Sequence, residues 1–326
     1  MNNTARRPKI ALAFSGGSGR AMAQAGVLEV FREQGIPVDI ITACSSGSLI
    51  AASYASGTLD RLRQDWLGMN RDSVYRMFAL NEKMGGLFAM NKFTQWFDGY
   101  CLQKNMEEFS PKLGFVAVDL EAKALVLLCM GELKRSLQAS CAVPGLFEPV
   151  RWGNKLLVDG GLMSFIPARE AREMGADVVI GVNVLHRRTM FTKRTLDMWR
   201  RYSRIKNSVW FRPMRYALFR LDGLYKKTFA GLFSEDYDFF KKSELPKNLH
   251  VFEVLKRSMD IAIDQDTENM RTPEGCDVLL RPDGIYLDQI GVKQTQMIYD
   301  AGRACALEAI PEIKRLIAEF NGHKSG

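Results

Sequence analysis

Short apolar runs, each followed by a helix-like stretch, constrain this chain more than any other feature of its sequence. Lys9–Phe14 reads as a strand, and a glycine loop then leads into a helix from about Ala21 to Gln34, which Gly35 stops. Val38–Thr42 is the next strand, with a small-residue helix after it over Leu49–Ala55. Phe115–Asp119 and Leu125–Met130 form a strand pair around the Glu121-Ala122-Lys123 turn, and a helix follows near Leu133–Cys141. Leu156–Val158 and Val178–Val184 are further strands, separated by a helix over Ala168–Met174. Asp277–Leu280 closes the series, with helices at about Lys293–Glu308 and Ile313–Glu319. Strands without polar alternation have both faces buried. The pattern therefore predicts an α/β fold with a mainly parallel central sheet and helices on both faces, a three-layer arrangement.

At 326 residues and 47% apolar content, the chain can bury the large core such a sheet needs. No run of 18 apolar residues is present, so no helix is expected to cross a bilayer. The polar start Met1–Pro8 precedes only the short run Ile10–Phe14, which is too short for a secretory signal. Cys44, Cys101, Cys129, Cys141, Cys276 and Cys305 are scattered without a C-x-x-C pair. They are expected to be reduced core thiols of a cytoplasmic protein. His186, His250 and His323 lie far apart, so no metal site is expected.

Charge is uneven. Residues 187–227 hold thirteen Lys/Arg against two acidic residues, a net +11, which leaves −3 for the rest of a chain whose total is +8. Aromatic residues such as Trp199, Tyr202, Trp210 and Phe211 are interleaved, and two 4-3-4 apolar stripes run through it. One reading is a lid or patch that meets an anionic membrane surface. Another is a set of stripes packed on the core with their charges solvated. Nucleic-acid binding is the weaker reading, because no reader motif accompanies the charge. The expected organisation is a single domain over 1–326. Its core is 8–186 with 250–322, and a basic aromatic insertion occupies about 187–245.

Three short motifs carry chemistry. In Ala43-Cys44-Ser45-Ser46-Gly47, a serine stands between a strand and a helix with small residues two before and two after it. That is the pattern of a nucleophile elbow, in which a tight turn lifts the hydroxyl clear of the backbone at a helix N-terminus. Gly16-Gly17-Ser18-Gly19-Arg20 follows a strand and opens a helix. It lacks both G-x-G-x-x-G spacing and a P-loop ending, so an oxyanion loop fits better than a nucleotide site. A glycine turn that merely permits close packing is the plain alternative. Asp159-Gly160-Gly161 places a carboxylate at a strand end, where it can serve as a base for a hydroxyl or can simply form a common Asp-Gly turn.

Glycine loop, serine elbow and D-G-G, in that order, resemble the patatin-like phospholipases, lipid acyl hydrolases that use a Ser–Asp dyad. Ser140-Cys141-Ala142-Val143-Pro144-Gly145-Leu146-Phe147-Glu148-Pro149 is similar to that family's S-x-x-x-P-x-x-F-x-P element. The resemblance covers about Ile10–Val184, with a further likeness over Asp277–Asp283. It implies a patatin-like fold, a lipid ester substrate, Ser45 as nucleophile and Asp159 as its base. It further implies Gly16, Gly17, Ser18, Gly19 and Arg20 as the oxyanion loop, and no cofactor. Ser18, Ala21 and Ala43 stand where the family usually has glycine. These departures keep open an inactive or weakly active membrane-docking scaffold of the same fold. A Ser-His-Asp esterase using His186 is the other alternative, since Ser45, Asp159 and His186 follow the α/β-hydrolase order.

Overall fold

β1 (Ile10–Phe14) is buried along its whole length, because a strand pairs with each of its edges and a core cluster covers each of its faces. β2 (Ile40–Ala43) lies parallel on one side and β7 (Val178–Val182) parallel on the other. The computed structural model describes residues 6–68, 90–102, 104–185, 261–262, 275–283 and 294–322. All of them belong to one compact unit made of Met1–Met190 and Arg257–Gly326. His186 and the basic insertion expected at 187–245 lie outside the described residues.

The remaining strands are β3 (Lys112–Asp119), β4 (Ala124–Leu128), β5 (Val150–Trp152), β6 (Lys155–Asp159) and β8 (Val278–Leu280). The sheet order is β5-β6-β3-β2-β1-β7-β8, with β4 also paired to β3. β3-β2-β1-β7-β8 is parallel throughout, as the sequence pattern predicts. The β3–β4, β3–β6 and β6–β5 ladders are antiparallel, so the parallel expectation holds for the centre and gives way to a meander on one flank. The reason is connection length. Three-residue β5 joins β6 through Gly153-Asn154, a link fit for a hairpin and too short for a crossover.

Side chains of β1 alternate in size. Ile10, Leu12 and Phe14 enter the larger core cluster, beside Leu28 and Phe31 of α1 (Met22–Glu33) and Leu49 and Ile50 of α2 (Ser46–Ala55). Ala11 and Ala13 face a smaller cluster with Phe165, Ile166 and Ala168. Each fully buried large side chain contributes about 1.5–3 kcal/mol, so the α1/α2 face holds most of the burial energy and the alanine face is shaped for close approach.

α1 ends at Gly35, where φ is +64°. The N–H groups of Gly35 and Ile36 turn back to the carbonyls of Arg32 and Phe31, which satisfies two orphan acceptors. α3 (Leu59–Gly68), α4 (Met90–Phe97), α5 (Leu133–Ser140) and α6 (Ala168–Glu173) follow in chain order. Where the sequence suggests two terminal helices, one helix, α7 (Thr295–Gly322), runs through Pro311. Ile298, Tyr299, Ala306, Ile310 and Ile313 form one buried stripe along it, and that continuous packing outweighs the single N–H that Pro311 lacks. α7 and α1 touch backbone to backbone. A Cβ on Gly26 would lie 2.2 Å from the Tyr299 carbonyl oxygen, and one on Gly302 only 1.9 Å from that of Ala23.

Candidate active site

β2 ends at Ala43, in register with Phe14 of β1 and Phe115 of β3. Cys44 still donates its N–H to the Phe14 carbonyl, and the chain turns sharply at Ser45, with φ +52° and ψ −130°. A residue with a Cβ is held there at a cost of roughly 1–2 kcal/mol. α2 begins with the next residue, and the Ser45 carbonyl accepts the N–H of Ser48. Gly47 is required by space, because a Cβ there would stand 2.7 Å from the Ser15 carbonyl oxygen and 3.0 Å from Phe14 Cβ. Ala43, by contrast, is an ordinary strand residue and needs no glycine.

The glycine loop lies against the elbow. A Cβ on Gly16 would be 3.0 Å from Ser45 Cβ and 2.9 Å from Phe165 Cε2, so only glycine lets the loop backbone approach the serine. Ser15 fixes the start of the loop to the sheet: its N–H donates to the Val182 carbonyl, and its Oγ accepts the Val184 N–H at 3.0 Å. Gly17 adopts φ +153°, and its missing Cβ would lie 2.5 Å from Val184 Cγ2. Ser18 has φ +56°, while Ala21 has an ordinary helical φ of −56°. Of the three positions where alanine or serine replaces glycine, only Ser18 is therefore strained. A 3-10 turn over Ser18–Ala21, closed by the Arg20 N–H on the Gly17 carbonyl, leads into α1 with the Arg20 side chain buried.

Asp159 arrives from the opposite direction. β6 runs antiparallel to β3 and ends with Asp159 opposite Ala117, two residues beyond the Phe115 that pairs with Ala43. The ends of two opposed strands thus meet along β3. Asp159 is 1% exposed, and its N–H donates to the Ala142 carbonyl at 3.0 Å. Its Oδ1 accepts the Gly161 N–H at 2.9 Å and faces the Cys44 thiol, with Sγ at 3.5 Å. Its Oδ2 is buried without a completed hydrogen bond. The Ser45 hydroxyl is nevertheless near enough to favour the ionised carboxylate. The two side chains are thus neighbours without a completed hydrogen bond.

Burial pushes the Asp159 carboxyl up to about 6, and the Gly161 amide, Ser45 hydroxyl and Cys44 thiol partly offset it. The two glycines after it have separate tasks. Gly160 makes room, since a Cβ there would sit 2.6 Å from the Val116 carbonyl oxygen, and Gly161 supplies the amide that holds Oδ1. Among the described residues, no group of three or more His, Cys, Asp or Glu is placed to hold a metal ion. None of their helices is long and apolar enough to cross a membrane.

Ser45, Asp159 and the Gly16–Gly19 loop therefore meet where β1, β2 and β6 end, while His186 lies outside the described residues. Two contributors escape a reading of the motifs. Cys44 faces the carboxylate from the position next to the serine, and Ser140 accepts the Ser45 N–H from 95 residues away. Ser140 is the first letter of the S-x-x-x-P element, the one signal in the sequence that singles it out.

An α/β sheet that joins a strained serine elbow, a glycine loop and a buried carboxylate has counterparts among known proteins. Residues 12–172 match the family model of patatin-like phospholipases, which marks that segment as a patatin-like phospholipase domain. Patatin-like phospholipase domain-containing protein 7 of Rattus norvegicus is 32% identical over 181 residues, 54% of this chain and 13% of that protein. Patatin-like phospholipase domain-containing protein 6 of Homo sapiens is 31% identical over 182 residues, again 54% of this chain and 13% of the relative. An uncharacterized NTE family protein of Mycobacterium tuberculosis is 27% identical over 177 residues, 54% of this chain and 49% of its own length. The chain thus spans half or less of these relatives. Among solved structures, VipD from Legionella pneumophila aligns with a TM-score of 0.38 and 13% identity, covering 97% of this chain and 68% of that one.

Proposed function

We infer that this protein is a serine lipid acyl hydrolase that cleaves carboxylic ester bonds of phospholipids or related lipids with Ser45 and Asp159. The match of residues 12–172 to the patatin-like phospholipase model supports lipid acyl hydrolysis as the class of activity. The observation that carries the dyad is the one-sided satisfaction of Asp159. Gly161 and Cys44 occupy Oδ1, while Oδ2 is a buried acceptor with no completed bond beside the Ser45 hydroxyl. A carboxylate that titrates near 6 is ionised at neutral pH, yet basic enough to take a hydroxyl proton as the bond to carbon forms.

The reaction follows from this placement. Ser45 Oγ attacks the acyl carbonyl carbon while its proton passes to Asp159. The carbonyl oxygen gains negative charge beside the Gly16–Gly19 amides and the start of α2, donors typically worth about 3 kcal/mol each in the transition state. Collapse expels the alcohol, which takes the proton back from Asp159. Water, activated by the same carboxylate, then releases the fatty acid from Ser45. Every proton is returned, and the cycle needs no further base.

Lipid products of the purified protein, read by mass spectrometry against a Ser45→Ala variant, test this reading. Free fatty acid and a deacylated lipid are expected from the wild type, and at least a thousandfold less from the variant. Equal product from both would remove Ser45 from the mechanism.

A further inference from the structure

The S-x-x-x-P element has no part in the chemistry just described, yet it touches both reacting residues. Ser140 is the last residue of α5 and is fully buried. Its Oγ accepts the Ser45 N–H at 3.0 Å and is paired with Ser48 Oγ, also fully buried, at 2.9 Å. Two residues on, the Ala142 carbonyl accepts the Asp159 N–H at 3.0 Å. One three-residue stretch thus holds the backbone of the serine at one end and that of the carboxylate at the other.

The stretch is itself rigid. The Cys141 N–H closes the last turn of α5 on Leu137, and the Ala142 N–H returns to Ala139. Beyond it, Phe147 donates its N–H to the Val143 carbonyl and packs with Ala142, Val143 and Met90 in a separate apolar cluster. The phenylalanine of the motif therefore anchors the element, and its serine makes the contact.

We propose that Ser140–Ala142 is a spacing gauge and Ser140 a positioning residue, holding Ser45 in its left-handed conformation at working distance from Asp159. This rests on the reading of Ser45 and Asp159 as the reacting pair. The physical need is specific. The Ser45 N–H lies one residue beyond the last sheet bond, which Cys44 makes to the Phe14 carbonyl, and the residue is buried, so Ser140 Oγ is its acceptor. A buried donor without an acceptor is costly, so deleting Ser140 Oγ favours a relaxed turn in which the N–H finds another partner. That turn aims the hydroxyl elsewhere. Substrate binding does not involve Ser140, so the loss falls on turnover.

The test uses the full chain with a short-chain p-nitrophenyl ester and a fluorophosphonate probe, well below the melting temperature. Ser140→Ala is expected to lower kcat by about tenfold to a hundredfold, the rate equivalent of one buried unpaired N–H, with KM within twofold. Fluorophosphonate labelling of Ser45 slows by the same factor. The acidic limb of the pH profile moves upward, because the Ser45 hydroxyl that favours the ionised Asp159 carboxylate is aimed elsewhere. Should Ser140→Ala not fold, Ser140→Cys keeps the volume with a weaker acceptor, and a fall in kcat at constant KM is again expected. A lowered melting temperature with kcat unchanged would overturn the gauge. Ser45→Ala run in parallel separates the two ideas. Full hydrolysis by that variant overturns both, whereas full hydrolysis by Ser140→Ala beside a dead Ser45→Ala overturns the gauge alone.

Discussion

The parallel half of the sheet supplies Ser45 and the antiparallel flank supplies Asp159, and each half holds its residue away from comfort by a different means. On the parallel side the departure is torsional: Ser45 sits at φ +52° and Ser18 at φ +56°, both with side chains where glycine is at ease. On the flank the backbone is relaxed, with Asp159 at φ −49° and ψ 133°, and the departure is electrostatic. Torsional strain of this kind costs roughly 1–2 kcal/mol per residue. A carboxyl that titrates near 6 when folded, against an ordinary 3.8, costs about 3 kcal/mol once ionised. The larger burden is therefore on Asp159, the proposed base. A nucleophile can be made reactive by aiming it, whereas a base must also be made basic.

Asp159→Asn should break this comparison most sharply. Ester hydrolysis is expected to fall by at least a thousandfold, while stability moves the other way. Because the folded pKa is raised, the native state loses stability as pH climbs from about 4 through 6, and the full cost is present above that range. Asparagine has no charge to desolvate. The unfolding free energy of the variant should exceed that of the wild type at pH 8 by an amount on the order of 2 kcal/mol, and the gap should close toward pH 4. In the wild type, kcat/KM should rise with pH through about 6 and level off, as a base that works deprotonated requires. A stability gap independent of pH would remove the electrostatic half of the argument.

Gly47→Ala tests the torsional half. Its Cβ would meet the Ser15 carbonyl oxygen at 2.7 Å, a backbone atom that cannot swing aside. A loss on the order of 2–3 kcal/mol in urea unfolding is expected, with weaker hydrolysis as the elbow shifts against the glycine loop. Ser18→Gly should give the smallest change, in the opposite direction. Relief of the left-handed strain, partly offset by the greater freedom of glycine in the unfolded chain, should raise stability by about 0.5–1 kcal/mol. A Ser18→Gly variant less stable than the wild type would show that the hydroxyl makes a contact outweighing the torsion.

The two halves also differ in how far their residues announce them. β1, β2 and β7 are legible because both of their faces are buried, so apolar runs need no partner to be recognised. The flank carries a weaker signal. β5 has three residues, none fully buried, and β4 is buried only at Leu128. Gly47 and Gly160 can be placed by motif, but the atoms they make room for, the Ser15 and Val116 carbonyls, belong to the fold. The shift of Asp159 depends on burial by elements far apart in sequence, and Ser140 reaches Ser45 across 95 residues, beyond any local pattern. Pro311 misleads in the other direction, since a local stop signal yields to the long stripe packed on α1.

The β6–β3 register has one more consequence. Side chains alternate faces along a strand, so the carboxylate reaches the serine only because an exact number of residues separates the Gly153-Asn154 bend from position 159. Lengthening the bend would leave that count untouched. Adding a single residue between Lys155 and Asp159 would turn the acid to the far side of the sheet and bring a hydrophobic neighbour round in its place. The placement thus depends on parity and on distance: an odd slip turns the acid from the serine, and an even one returns it to the right face but about 6–7 Å out of place along the strand.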